Sequence, residues 1–251
     1  MPPTPRPQVV GSASTMRRAG GAACATQIAG TSQYYAMCSG TSMASPHTAG
    51  AIAVLTQWWR ASHGGATPSP AMAKALLVNG AIDVGASADV PNNNEGWGRI
   101  NLPRSIGAGV PQHTIDQTVV LDNAGDAHSL TFGIPDPTKP VRITLTWTDA
   151  PGAVGANPAL VNNLDLEVVS GANTYLGNVL TAGVSTTGGT ADAKNNIENV
   201  FLPSGASGTI TVKVKATNLP GDGVPNVGDA TDQDFALVCD TSMWDQITPA
   251  I

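Results

Sequence analysis

Charge is scarce in this sequence. Lys and Arg together number 12 and Asp and Glu 18, so 12% of the 251 residues are charged, about half the share usual in a soluble domain. The formal net charge is −6 and the few basic residues form no cluster, which excludes nucleic-acid binding as a primary role. No stretch is continuously apolar for the roughly 18 residues that a membrane helix needs. The opening Met1-Pro2-Pro3-Thr4-Pro5 also lacks the apolar core of a secretion signal. Three cysteines, Cys24, Cys38 and Cys239, make an odd count that rules out a fully paired intramolecular framework. Cys24 and Cys38 could close a local bridge, or all three could be buried thiols. A further absence is local: residues 1–41 contain no Asp, Glu, His or Asn.

What is abundant is glycine and proline, 28 and 19 residues, the composition of a turn-rich chain. Ala19 to Trp59 carries no charge at all but is broken by Gly, Ser, Thr, Gln and Pro, and it reads as the dry centre of a globular domain. Met43 to Leu55 is small or apolar on every face, which predicts a helix over about 41–62 packed on all sides, with Gly64-Gly65 as its stop. Ser69 as N-cap and Pro70 at the first position begin a second helix ending near Asn79-Gly80.

Beyond about residue 109 the period becomes two. Val141–Thr148 and Thr209–Lys215 alternate strictly, as strands with one buried and one wet face do. Ile115–Leu121, Leu130–Ile134, Leu164–Val169, Asn173–Asn178, Val200–Leu202 and Phe235–Cys239 are further candidates. About eight short strands between turns suit a two-sheet jelly roll. The change of period falls between Ser105 and His113, a natural domain boundary.

The segment Gly40-Thr41-Ser42-Met43-Ala44-Ser45-Pro46-His47 puts a serine at the start of the uncharged helix. Unpaired N–H groups and partial positive charge at a helix N-terminus would stabilise an oxyanion formed by attack of Ser42 Oγ on a carbonyl. Gly40 would let a substrate backbone approach closely. This octapeptide resembles the nucleophile motif of the subtilisin-like serine proteases, the subtilases (peptidase S8). The resemblance continues through Ala49-Gly50-Ala51, Leu76-Leu77-Val78-Asn79-Gly80-Ala81 and Gly96-Trp97-Gly98-Arg99-Ile100-Asn101-Leu102, covering about residues 8–108. The second half is similar to the C-terminal β-jelly-roll of some subtilases, through Leu145-Thr146-Trp147-Thr148-Asp149, Val161-Asn162-Asn163-Leu164-Asp165-Leu166 and Asn195-Asn196-Ile197-Glu198-Asn199-Val200.

The resemblance implies an α/β fold followed by an all-β one: the C-terminal part of a doubly wound parallel-sheet domain, then an antiparallel β-sandwich. The expected domains are 1–108 and 109–242, with a tail at 243–251. It implies a serine endopeptidase in which Ser42 is the nucleophile, Thr41 and Ser42 form the nucleophile turn, and Ser42 N–H is an oxyanion donor. A protein or peptide is the substrate, catalysis needs no cofactor, and the complete protein is secreted. Many such relatives with accessory β domains bind calcium, which makes Asp149, Asn163 and Asp165 candidate ligands for a structural ion, with Asx turns as the competing reading.

Family members place the triad Asp, His and an oxyanion Asn ahead of the serine, where residues 1–41 have none of them. His47, five residues on, is turned about 140° around the helix and ~7.5 Å along it, and His63 is about 30 Å away. Neither suits the role of base, and His113 and His128 belong to the linker and β half. The expectation is therefore a subtilase portion that is inactive as this chain, with residues 1–108 poorly folded alone and about 112–242 surviving proteolysis. Two other readings compete. One is a non-catalytic sandwich module beside a decayed protease segment. The other is an α/β-hydrolase elbow using Asp83 and His113, which needs more preceding strands than 41 residues provide.

Overall fold

The computed structural model describes residues 12–16, 26–27, 35–85, 90–107, 112–228 and 230–241. Helix α1, Thr41–Ser62, starts after Gly40, whose φ of 152° favours glycine. Helix α2, Pro70–Asn79, has the predicted N-cap: Ser69 Oγ accepts the N–H of Met72. Helix α3, Leu102–Ile106, is capped in the same way by Asn101. Both predicted helices are therefore found, because capping and proline chemistry are local in sequence.

Ahead of α1, β1 (Ser12–Met16), β2 (Thr26–Gln27) and β3 (Tyr35–Ser39) pair antiparallel in the order β1-β3-β2. These strands are not the parallel, helix-crossed sheet expected for the first half. A parallel neighbour needs a crossover connection of a dozen or more residues, usually helical, and no described residue before Thr41 is helical. Cys24, and the side chain of Cys38, lie outside the described residues.

Nine strands follow: β4 (Gln112–Leu121), β5 (Ala127–Gly133), β6 (Val141–Thr146), β7 (Asn163–Ser170), β8 (Asn173–Thr181), β9 (Val184–Thr187), β10 (Ile197–Leu202), β11 (Thr209–Asn218) and β12 (Gln233–Asp240). They form two antiparallel sheets, ordered β10-β6-β12-β4 and β5-β11-β7-β8-β9. β9 has no counterpart among the strands expected above, because four residues between Gly183 and Gly188 carry almost no periodic signal. Between the sheets lie Ile143, Leu145, Trp147, Leu164, Leu166, Val168, Ile210, Val212, Phe235 and Leu237, all buried.

The expected wet face of β6 is dry. Thr144 and Thr146 are fully buried because α2 lies across the outer face of β6 and β12, where Ala71, Met72, Leu76, Ala236 and Val238 form a second apolar cluster. β12 therefore buries both faces, Phe235, Leu237 and Cys239 inward and Ala236 and Val238 toward the helices. Polar groups cross the same contact. Asn79 Nδ2 donates to Arg142 O (3.2 Å) and Thr144 Oγ1 (3.0 Å), and Thr144 Oγ1 donates to Asn199 Oδ1. Thr146 Oγ1 donates to Ala71 O at 2.7 Å, Lys74 Nζ to Asn196 Oδ1, and Ser69 N–H to Asp116 Oδ2. These bonds span the boundary expected near residue 108.

Helix α1 is another departure. Only Ala44, Leu55 and Trp59 are buried along it, whereas Ile52 and Val54 are 37% and 49% exposed. Leu55 and Trp59, one turn apart, join the apolar cluster formed with α2. Ile52 and Val54, about 200° apart around the helix, are both exposed, so the helix is not packed all round.

Candidate active site

β3 ends at Ser39, Gly40 turns the chain, and Ser42 opens α1 with its side chain exposed, as is that of Thr41. Met43 and Ala44 N–H both bond to Gly40 O, at 3.0 and 3.1 Å. Thr41 and Ser42 N–H thus precede the first intrahelical bonds and point out of the helix start. Pro46 has no N–H to give Ser42 O, so the carbonyl of the serine is also left outside the helical ladder. Chemically, an exposed hydroxyl beside unpaired amides on a helix start suits attack on a carbonyl and stabilisation of the resulting oxyanion.

Among the described residues no base is brought to that hydroxyl. His47 is held back onto its own helix, Nδ1 to Met43 O at 2.6 Å. His63 stacks on Trp59, ring centroids 3.7 Å apart, with Nδ1 to Trp59 O at 3.1 Å. His113 packs on Phe132 and His128 near Phe235, both on sandwich strands. Asp83, the acid of the hydrolase alternative, accepts the N–H of Gly85 in the turn after α2, while His113 stays in β4. All four histidines therefore have structural contacts of their own.

The proposed metal ligands also have other occupations. Asp149 accepts Val161 N–H and Asn162 N–H, one on each oxygen, both at 2.8 Å. Asp165 accepts from Asn163 Nδ2 and from Thr217 Oγ1. Asn163 and Asp165 share one face of β7, while Asp149 braces the long loop leading to that strand. Among the described residues no group of three or more His, Cys, Asp or Glu side chains could hold a metal ion. None of these bonds closes an Asx turn: Asp149 reaches backbone 12 and 13 residues on, and Asp165 bonds to side chains.

Several buried polar residues carried no readable signal in the sequence. Arg142 is half-buried with its Nε shielded from solvent, its guanidinium 3.5 Å over the Phe201 ring and one amino group on Val78 O. Burial, with Arg104 nearby and against the pull of Asp240, lowers its pKa to about 9. Burial likewise pushes the Cys239 thiol upward, which leaves it an unreactive core residue. Asn79, read as a helix terminator, is the hub of the contact between α2 and β6.

The strand-turn-helix serine is thus of the kind that hydrolases of the acyl-transfer class use. The profile of the Subtilase family (peptidase S8) matches residues 6–109, and this match supports a serine protease of the subtilase type. No curated protein matches the chain. No helix among the described residues is long and apolar enough to cross a membrane, and secretion is common among subtilases.

Proposed function

We propose that this chain is the nucleophile-bearing portion of a subtilase-type serine endopeptidase, secreted in its complete form. Ser42 attacks the peptide carbonyl of a protein substrate, Ser42 N–H donates to the oxyanion, and water hydrolyses the acyl-enzyme. The observation that carries this reading is the exposed Ser42 at the first turn of α1, inside the matched segment. The general base and its acid come from elsewhere, since residues 1–41 contain no His, Asp or Glu and the four histidines are engaged as described. In this reading residues 1–108 are catalytic-domain sequence and 109–242 a jelly roll with a tail at 243–251; the two strand orders support the latter.

Two experiments test it. Chain 1–251 incubated with a fluorophosphonate probe is expected to show no labelling at Ser42 above that of Ser42→Ala, because an unassisted hydroxyl is a weak nucleophile. DNA read in frame upstream of the Met1 codon is expected to encode the Asp, His and Asn segments. The extended protein should cleave casein, with Ser42→Ala lowering that rate by at least about 10³-fold. Cleavage undiminished in Ser42→Ala would overturn the assignment. An in-frame stop just upstream would favour the other reading, a sandwich module beside an inactive protease segment.

A further inference from the structure

One carboxyl group lies in the apolar space between the sheets. Glu198 on β10 is in step with Val200 and Leu202, whose side chains enter the core, and it is fully buried. Its Oε2 accepts the N–H of Leu166, on β7 of the opposite sheet, at 2.6 Å. Its Oε1 is buried without a partner. On its third side runs β8, where Gly177 leaves the necessary gap: a Cβ at that position would meet Glu198 Oε2 and come within 2.7 Å of Glu198 Cβ and Cδ.

Among the described residues no cation faces this group. On β7 the nearest charged residues are Asp165 and Glu167, in the loop before β10 Asp192 and the exposed Lys194, and on β8 the titratable group is Tyr175. β9 has no charged residue. Arg142 of the neighbouring β6 lies over Phe201 on the other face of the sheet. Asp192 is itself occupied by Asn178 Nδ2, Asn195 Nδ2 and Lys194 N–H. An ionised carboxylate here would face two further acids in a medium of low polarity.

We propose that Glu198 is a proton-operated clasp between the two sheets: as the neutral acid it holds β10 to β7 and β8, and its ionisation in alkaline solution releases this edge of the sandwich. The direction follows from the surroundings. Burial raises its pKa, Leu166 N–H opposes this, and Asp165 and Asp192 add to it, giving about 9 against the ordinary 4.5. An acid with a raised folded pKa stabilises the fold fully below its unfolded pKa. That contribution declines as pH rises from about 4.5 toward 9.

The test is backbone amide exchange followed by NMR, comparing wild type with Glu198→Gln at the same pH so that intrinsic exchange rates cancel. At about pH 4.5, where the carboxyl is neutral in both the closed and the open state, the Leu166 amide should be equally protected in both. At pH 10 it should exchange at least tenfold faster in the wild type, together with Asn199 and Phe201. The wild-type Tm should fall from pH 6 to pH 10 while that of Glu198→Gln stays level. Equal loss of protection in both proteins, or none in either, would overturn the clasp. If the Gln variant does not fold, the carboxyl carbon of Glu198 followed by NMR in the wild type decides. A chemical shift that changes above pH 8 supports the proposal, and titration near pH 4–5 refutes it.

Discussion

Limited proteolysis of the full chain is expected to leave a resistant unit that begins in the exposed turn at residues 63–67 and retains α2, rather than one that begins near residue 112. The reason is the contact between α2 and the sheet. Seven of the ten helix residues, Ala71, Met72, Ala73, Ala75, Leu76, Leu77 and Asn79, are buried. Removing α2 would expose Ala236 and Val238 on β12 and leave Thr144 and Thr146 of β6 without their helix partners. A sandwich trimmed to residues 112–241 is therefore less stable than one that keeps α2.

Asn79→Ala tests the polar part of that contact. It deletes two donated bonds in a buried site, and Arg142 O and Thr144 Oγ1 each lose a donor. At about 1–3 kcal/mol for a buried polar group left unpaired, the expected cost is about 2–4 kcal/mol, read from the denaturant midpoint. Thr144→Val should cost less in the Asn79→Ala background than alone, since the two share one bond. A wild-type resistant fragment starting at 105–112, or strict additivity of the two substitutions, would show that α2 is merely adjacent to the sheet.

The second large effect is a pair of glycines with opposite outcomes. Gly80 closes α2 in an ordinary helical conformation, φ −83°, so its need for glycine is steric. A Cβ there would stand 2.6 Å from Ser105 N and 2.7 Å from Ser105 Cα. The obstacle is the backbone of α3, and accommodating it means shifting that helix. Gly80→Ala should therefore cost about 1–3 kcal/mol, as overpacking does. Gly50, within α1, has nothing within 4 Å of where its Cβ would be, and Gly50→Ala should stabilise this chain by up to about 1 kcal/mol through helix propensity. Thermal unfolding of the two variants checks both signs. Performed on a longer chain that carries the rest of the catalytic machinery, the Gly50 substitution has a further use: a destabilising effect there would mean that the open side of α1 becomes covered.

The helices were legible because their signals are local. Ser69-Pro70 and Asn79-Gly80 fix α2 within a few residues, and the uncharged run from Thr41 to Trp59 gives α1 its extent. Strand positions were legible from alternation, as at Thr209–Lys215, where β11 alternates between buried and half-buried residues. The face each strand turns to solvent was not legible. Thr144 and Thr146 look like the wet side of β6 until α2, some 65 to 75 residues earlier, is laid over them. Glu198 is similar: its sequence neighbours mark a strand end, but only the approach of β7 and β8 makes it an interior acid. For the candidate site, the octapeptide around Ser42 was readable as a motif. That His47 lies away from Ser42 followed from helix geometry, while its bond to Met43 O and the exposure of Ile52 and Val54 depend on which surfaces approach α1 in space.

The docking of α2 onto β12 sets an order of events during synthesis. Residues 70–79 leave the ribosome some 150 residues before residues 233–240, and β12 is the central strand that both the helix and the inner core require. Until β12 arrives, α2 has no surface to bind and the sheet that would receive it is split, with β4 separated from β6. Contacts this distant in sequence make for slow, late closure. The contact between α2 and the sheet therefore forms only after β12 has been made, well after the helix itself has left the ribosome.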